Sequence, residues 1–208
     1  MLLISDRATG VLHVGGGLGQ EAERYAARDL PVIWVEPLAE NVRAIRERTR
    51  GLPLQRTIQA LVSDRDGELV EFHVTTSSRD GRTTSSSMLP LAEHRERFPH
   101  VTEQRIVPMR TCTVATLLDR LDAPYLNHMV VDVQGAELKV LTGAEPVLHT
   151  FNSLLVEGST TELYRGQPPI CEIQCWLEHR GFTLIDTDRS RPAWHTDYLF
   201  ARRLRKAA

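Results

Sequence analysis

The chain has 208 residues, of which 41% are hydrophobic and 25% are charged, with a formal net charge of -2 at pH 7. This size and balance predict a single globular domain over residues 1–208. The weakly negative charge argues against nucleic-acid binding, because nucleic-acid-binding domains are usually basic. Three cysteines cannot form a disulfide framework, so a reducing, cytoplasmic location is expected. No apolar run reaches about 18 residues, so we expect no membrane span.

The first half of the chain predicts strands alternating with helices. The elements, in order, are a strand at 11–14, a helix at about 20–28, a strand at 32–35 closed by Glu36, a helix at 38–50, and strands at 58–62 and 69–74. The stretch 75–87 is rich in Ser, Thr, Gly, Arg and Asp and has almost no apolar side chain. This composition predicts an exposed loop.

The second half continues the alternation. Residues 89–101 are ambiguous, with a helix ending near Pro99 as one interpretation; the remaining elements are a strand at 106–111, a helix at 114–121, a strand at 128–133, a helix at 136–141, a strand at 154–157, a helix at 168–180, and closing strands at 182–185 and 198–201. Most strands are solid apolar runs, which indicates a mainly parallel α/β sheet covered on both faces. Such sheets bind ligands beyond the carboxyl ends of their strands, where the strand order reverses.

A glycine cluster follows the first strand. Gly15, Gly17 and Gly19 alternate, and Gly16 lies between the first two. Glycines between a strand and a helix allow a tight turn and a close approach of the backbone to a ligand, and the helix N-terminus favours negative charge. A purely structural turn remains the alternative, because this pattern alone is weak.

An acidic residue ends the second strand. Glu36 lies 17 residues after Gly19 and is followed by Pro37. A carboxylate at this position can accept hydrogen bonds from ribose hydroxyls, and the alternative is a surface acid that complements a helix dipole. We favour the ribose interpretation because the acid, the strand end and the glycine turn coincide.

The spacing of the glycines distinguishes between two classes of enzyme that bind nucleotide-type cofactors. A dinucleotide usually requires G-x-G-x-x-G, whereas this chain has G-x-G-x-G. The tighter pattern resembles the first motif of class I methyltransferases. A nicotinamide-dependent oxidoreductase remains an alternative with weaker support.

Later segments make this resemblance more specific. Residues 131–144, VDVQGAELKVLTGA, are similar to the D-V-E-G-A-E-x-x-V-L-x-G-A signature of FkbM-type methyltransferases. The resemblance extends in family order across residues 11–201, and its other matching positions are Glu36-Pro37, Asn41, Ser63-Asp64, Ser85-Ser86-Ser87 and Leu155-Val156-Glu157.

The resemblance implies a Rossmann-like class I methyltransferase fold: a seven-stranded, mainly parallel sheet with helices on both faces and an antiparallel last strand. It further implies S-adenosylmethionine as cofactor and transfer to a hydroxyl of a small molecule such as a sugar, a polyketide or another secondary metabolite. The cofactor residues that it implies are His13, Gly15, Gly16, Gly17, Gly19, Glu36, Pro37, Val62, Ser63, Asp64, Asp132 and Gln134.

Two of these positions depart from the family pattern. His13 stands where the family commonly has Asp, and Gln134 stands where it has Glu. An amide cannot ionise, so Gln134 can orient a ligand but cannot act as a base or as a strong metal ligand. These departures keep open a catalytically weak or silent cofactor-binding domain.

Methyl transfer to a hydroxyl needs alignment and a proton acceptor. Asp132 and Glu157 end predicted strands at the ligand edge and are the catalytic candidates, each with a purely positioning role as its alternative. His73, His94, His100 and His195 are further candidate bases. A divalent metal is compatible with Asp132 and Glu157, but no third ligand is evident. The 75–87 loop is a candidate lid, and a homodimer is left open.

Overall fold

The computed structural model describes residues 4–121, 123, 125–192 and 194–203. Its strands are β1 Val11–Val14, β2 Val32–Glu36, β3 Gln55–Gln59, β4 Leu61–Val62, β5 Leu69–Ser77, β6 Val101–Cys112, β7 His128–Val131, β8 Ser153–Ser159, β9 Phe182–Thr187 and β10 His195–Arg202. Its helices are α1 Ala22–Ala26, α2 Ala39–Arg48, α3 His94–Arg97, α4 Val114–Asp119, α5 Glu137–Ala144, the 3-10 helix Glu145–Thr150 and α6 Ile170–His179. None of the helices in the described part of the chain combines the length and apolar character needed to cross a bilayer.

The main sheet has seven strands in the order β3-β2-β1-β7-β8-β10-β9. Neighbours from β3 to β8 pair in parallel, and β10 runs antiparallel to both β8 and β9. The predicted α/β fold, with its antiparallel last strand, is therefore confirmed. The order reverses at β1, whose neighbours are β2 and β7, so a crevice opens beyond the carboxyl end of β1.

Both faces of this sheet are covered, which explains the solid apolar strands. Leu12 and Met129 belong to one core cluster, whereas Val11 and Trp34 belong to a second cluster on the opposite face. Because successive residues of a strand point to opposite faces, a strand covered on both sides needs apolar residues at every position.

The predicted strand at 58–62 is divided in the structure. β3 ends at Gln59, and β4 leaves the main sheet to pair with β6 in a separate three-stranded sheet of order β4-β6-β5. β6 also begins at Val101, five residues before the predicted strand. This small sheet flanks the crevice and supplies part of its wall.

The prediction that residues 75–87 form an exposed loop was wrong in part. Thr75 lies within β5, and both Thr75 and Ser87 are buried. Polar groups of the stretch satisfy one another: the Thr75 amide donates to Ser86 Oγ at 2.9 Å, and Ser87 pairs with the His73 backbone. The ambiguous stretch 89–101 contains the single-turn helix α3, and its last residue, Val101, begins β6.

Candidate functional site

A cavity of about 550 Å³ opens at the carboxyl edge of the main sheet. Glycine-turn residues, acids and the loop after β7 share its wall. The sequence-predicted residues that line it are His13, Gly15, Gly16, Gly17, Glu36, Pro37, Val62, Asp132, Gln134 and Glu157. The cavity therefore brings together most of the positions selected from the sequence.

Three predicted cofactor residues do not line this cavity in the described structure: Gly19, Ser63 and Asp64. The Ser63 hydroxyl donates to Asp64 Oδ1 at 2.8 Å, and Asp64 faces a second, shallower cavity beside Lys139. Their assignment to the cofactor stays a prediction, without support from the cavity wall.

The glycine turn begins with a backbone position that only glycine can occupy. Gly15 has φ +87°, and a Cβ built on it would lie 1.6 Å from the carbonyl oxygen of Asp132. A Cβ on Gly17, at φ +52°, would instead have its nearest neighbours, on Gln20 and Thr84, at 3.5 and 3.6 Å. The turn is thus packed against the end of β7 at Gly15 and leaves room at Gly17.

The Glu36 carboxylate accepts hydrogen bonds from both the glycine turn and the beginning of α2. Its Oε2 accepts from the Gly17 amide at 3.0 Å, and its Oε1 accepts from the Leu38 amide and from Asn41 Nδ2, each at 3.1 Å. Burial raises the pKa of this carboxyl to about 7, although the three donors oppose the rise. A carboxylate has about four acceptor positions, so one remains for a ligand hydroxyl.

A polar segment, residues 83–87, closes over the crevice, and we call it the strap. Thr83 Oγ1 donates to Asn41 Oδ1 at 2.8 Å, which joins the strap to the Glu36 end. At the other end, Ser87 Oγ donates to the Gln134 carbonyl oxygen at 2.7 Å. The predicted candidate lid is therefore anchored on both sides of the crevice.

The Gln134 amide connects the two predicted catalytic acids. Its Nε2 donates to Asp132 Oδ1 at 2.6 Å and to Glu157 Oε2 at 2.7 Å. Its Oε1 accepts from the Tyr164 hydroxyl at 2.7 Å. The Tyr164 hydroxyl, which also lies 3.1 Å from the Ser85 carbonyl oxygen, faces the amide oxygen, while the amide nitrogen, a donor, faces the two carboxylates, which accept.

This arrangement explains how Gln134 fits between two acids. Burial and the neighbouring Glu157 hold the pKa of Asp132 well above its usual range, and burial raises the pKa of Glu157 to about 7. Glu157 Oε1 also accepts from Arg191 Nη1 at 2.8 Å. Burial and mutual repulsion therefore disfavour the charged form of both acids at once, and Arg191 favours the ionised form of Glu157.

Sequence reasoning missed Tyr164 and Glu137. Buried Glu137 accepts from the Val133 and Gly135 amides at 3.1 and 3.0 Å, and it shapes the loop in which Gln134 has φ +59°. Its place within the signature was a signal for this role. Tyr164 carried no comparable signal, because it lies in the irregular segment after β8, 30 residues beyond Gln134.

His13 packs as a neutral ring. It stacks on Trp34 with 4.5 Å between ring centroids, and its Nδ1 lies 2.9 Å from the Tyr25 hydroxyl. Burial, together with His128, lowers its pKa to about 3. An uncharged, stacked imidazole thus occupies the position where an acid was expected from the resemblance.

The four histidines named as candidate bases divide into two groups. His94, His100 and His195 line the cavity, whereas His73 lies outside its wall and contacts Glu103 Oε2 at 2.6 Å. The described residues contain no group of three or more His, Cys, Asp or Glu side chains arranged to hold a metal ion.

Residues 14–184 match the methyltransferase FkbM domain. The chain belongs to the FkbM methyltransferase family. This finding confirms the resemblance drawn from the signature segment, with S-adenosylmethionine as the methyl donor. Among curated proteins, the chain is 24% identical over 164 residues to the 2-O-methyltransferase NoeI of Sinorhizobium fredii (strain NBRC 101917 / NGR234), covering 77% of this chain and 67% of that protein.

Solved structures agree with the fold. The bifunctional kinase-methyltransferase WbdD aligns with TM-score 0.52 at 11% identity, covering 97% of this chain but only 36% of that one. Precorrin-6y C5,15-methyltransferase from Geobacter metallireducens GS-15 aligns with TM-score 0.50 at 9% identity, covering 95% and 81% of the two chains. At these identities, the similarity concerns the fold alone.

Proposed function

We propose that this chain transfers the methyl group of S-adenosylmethionine to a hydroxyl oxygen of a small molecule. The observation that carries the proposal is that three features line one cavity: the glycine turn, Glu36, and the Gln134 cluster, which consists of Asp132, Gln134 and Glu157. The name of NoeI, a 2-O-methyltransferase, supports oxygen as the acceptor atom.

The residues of the cavity suit the cofactor. Gly17 leaves backbone space, and Glu36 has a free acceptor position for a ribose hydroxyl. Apolar and sulfur-containing side chains beside them suit a flat base: Ala60, Leu61, Val62, Phe72 and Met88. We assign Asp132 and Gln134 to the methionine end, since they lie in the same wall beyond Gly15.

The bound cofactor supplies a methyl group on a positively charged sulfur, which is already a good leaving group. The protein must then align the acceptor hydroxyl, exclude water and remove its proton. The strap covers the crevice, and its bonds to Asn41 and Gln134 hold it there. A strap held in this way shields the methyl group from competing water.

We assign proton removal to Glu157 acting with His195. The raised pKa of Asp132 favours a positioning role for it, whereas the ion pair with Arg191 favours the ionised form of Glu157. Glu157 Oε1 lies 3.4 Å from His195 Nε2, so the imidazole can share the proton that the carboxylate takes. Burial lowers the pKa of His195, so the ring is neutral and able to take a proton at pH 7.

Calorimetry with S-adenosylmethionine and with NAD tests the cofactor. We expect S-adenosylmethionine to bind and NAD not to bind, and the reverse result would restore the oxidoreductase alternative. Transfer of labelled methyl to a panel of hydroxylated metabolites separates an enzyme from a silent domain. If the donor binds but no acceptor is methylated, the silent domain is the better description.

A further inference from the structure

Two acids and one cation meet in the cavity wall, and we call Glu157, Arg191 and Asp197 the ion triad. Glu157 of β8 and Asp197 of β10 are direct partners in the antiparallel pairing of these strands, so their side chains point to the same face of the sheet. Arg191 Nη1 lies 2.8 Å from Glu157 Oε1 and 3.3 Å from Asp197 Oδ1. A single guanidinium nitrogen therefore contacts both carboxylates.

The turn that precedes Arg191 is fixed by Asp188, a buried acid. The Asp188 amide donates to the Asp197 carbonyl oxygen at 2.9 Å, and Asp188 Oδ1 accepts from the Ser190 amide at 2.9 Å and from Ser190 Oγ at 2.6 Å. Thr196 Oγ1 donates to the Asp188 carbonyl oxygen at 2.6 Å. These bonds join the start of the loop to β10, so the backbone itself directs Arg191 toward the two acids.

Arg191 reduces the cost of placing two acids side by side. The exposed fraction of the side chain is 6% for Glu157 and 14% for Asp197. Burial raises the pKa of both carboxyls, that of Glu157 to about 7, and Arg191 opposes the rise at each. Although burial acts in the other direction, both acids raise the pKa of Arg191, which therefore stays charged. One positive charge is thus divided between two negative charges.

Other titratable side chains also face the two acids of the ion triad. Around Glu157 they are Asp132, Glu137, Tyr164 and His195, and around Asp197 they are Glu21, Tyr25, Asp188 and His195. Among the described salt bridges, Arg191 pairs with Glu157 and Asp197 and with none of these other groups. Asp197 therefore differs from its neighbours because it competes with Glu157 for the same cation.

Resting on the proposed function, we propose that Asp197 is a positioning residue for proton removal: it shares the Arg191 guanidinium with Glu157 and holds this cation in place when Glu157 becomes neutral. The proton comes from the acceptor hydroxyl as its oxygen bonds to the methyl carbon, and the electron pair of the broken carbon–sulfur bond stays on the sulfur. Glu157 then changes from a charged carboxylate to a neutral carboxyl.

This role follows from what Glu157 must do. An exclusive ion pair with Arg191 would stabilise the ionised form of Glu157 and make it a weaker base. Protonation of Glu157 in an exclusive pair would also leave Arg191 without its contact acid in the cavity wall. By sharing the guanidinium, Asp197 reduces both penalties and leaves Glu157 able to take the proton.

Carboxyl titration by NMR tests this role on the intact chain, without donor or acceptor. The side-chain carboxyl carbons of ¹³C-labelled Glu and Asp are followed against pH, and Glu157→Gln identifies the Glu157 signal. Asp197→Asn should lower the titration midpoint of Glu157 by about one pH unit, because one negative charge is lost and the cation is no longer shared. Arg191→Leu should raise the midpoint by at least about one pH unit. A merely structural role would not produce shifts of opposite sign.

Matched variants control for the charge changes. Asp186→Asn and Arg189→Leu alter exposed residues outside the cavity wall, and neither should move the Glu157 midpoint, because exposed charges are screened by salt. Asp197→Glu keeps the negative charge and should hold the midpoint close to its native value. An unchanged or raised midpoint in Asp197→Asn, or an unchanged midpoint in Arg191→Leu, would overturn the proposal.

A measurement on the native chain covers the case in which Asp197→Asn does not fold. Asp197, whose signal Asp197→Glu identifies, should still be ionised at the pH at which Glu157 is half protonated. Protonation of Asp197 before Glu157 would overturn the proposal, because Asp197 could not then hold the cation.

The pH profile of kcat gives a second readout. Its acidic limb should move with the Glu157 midpoint in each variant, while KM for S-adenosylmethionine stays unchanged. The NMR titrations need no ligand, and their failure refutes the role of Asp197. The calorimetry and methyl-transfer assays described above decide the proposed function, so the two failures are distinguishable.

Discussion

Replacing Glu36 by Gln removes the charge from the group assigned to the ribose while keeping its shape. In the native structure, Gly17, Leu38 and Asn41 all donate to this carboxylate. A glutamine has only one oxygen, so its amide nitrogen must face at least one of these donors. The variant therefore loses the acceptor for the ribose hydroxyl and loosens the glycine turn.

The expected loss of affinity can be estimated from one interaction. A hydrogen bond to a charged group is worth about 1.5–3 kcal/mol, which corresponds to a roughly 10- to 100-fold weaker affinity for S-adenosylmethionine. Calorimetry measures this change directly. Glu40→Gln is the matched control, because Glu40 lies in α2, pairs with Arg105 at 2.7 Å and is outside the cavity wall.

The pH dependence adds a second readout for Glu36. Burial raises its pKa from 4.5 to about 7, so its contribution to the free energy of unfolding falls as pH rises through this window. Cofactor affinity should change in the opposite direction, because the ionised carboxylate is the better acceptor. We expect affinity to rise between about pH 6 and about pH 8 in the native chain, and less so in Glu36→Gln. Unchanged affinity in the variant, with an unchanged pH slope, would refute the ribose assignment.

Three further variants test the rest of the site. Tyr164→Phe should release the Gln134 amide and lower kcat by about tenfold, with donor affinity preserved in calorimetry; a normal kcat contradicts the orienting role. Gln134→Glu adds a third carboxyl to the buried pair, and the pKa of this new group must rise. The melting temperature of the variant should therefore fall further below that of the native chain at about pH 8 than at about pH 6, and an equal loss at the two pH values would contradict this reasoning. Gly15→Ala should lose about 3 kcal/mol or more of unfolding free energy, whereas Gly67→Ala, at φ +71° with open space, should lose about 1 kcal/mol; similar losses would show that steric contact is unimportant.

The parts that sequence reasoning predicted are those fixed by local pattern. Apolar runs marked β1, β2 and β7 because both faces of the sheet are covered. The glycine turn and Glu36 follow directly from strand ends. Parallel topology then brings those ends to one edge, so their meeting in one cavity needed no knowledge of side-chain contacts.

The rest depended on contacts between distant segments. The polar composition of residues 75–87 predicted a solvated loop. In the structure, Thr83 instead donates a hydrogen bond to Asn41 of α2, and Ser87 donates one to the Gln134 carbonyl oxygen. Ser63 and Asp64 lie outside the cavity wall because they pack against α5: a Cβ on Gly143 would lie 2.1 Å from the Ser63 carbonyl oxygen. Gln134 departs from the family pattern, and its amide contacts two acids that are distant from each other in the sequence. No spacing rule reveals such partners.

A crystal structure of the chain with S-adenosylhomocysteine, the demethylated cofactor product, tests most directly whether one cofactor spans the glycine turn and Glu36. We predict that a ribose hydroxyl lies within hydrogen-bonding distance of Glu36 Oε2 and that the amino-acid end lies between Gly15 and the Gln134 cluster. A nucleoside bound away from Glu36, or a ligand in the shallower cavity beside Asp64 and Lys139, would contradict this placement.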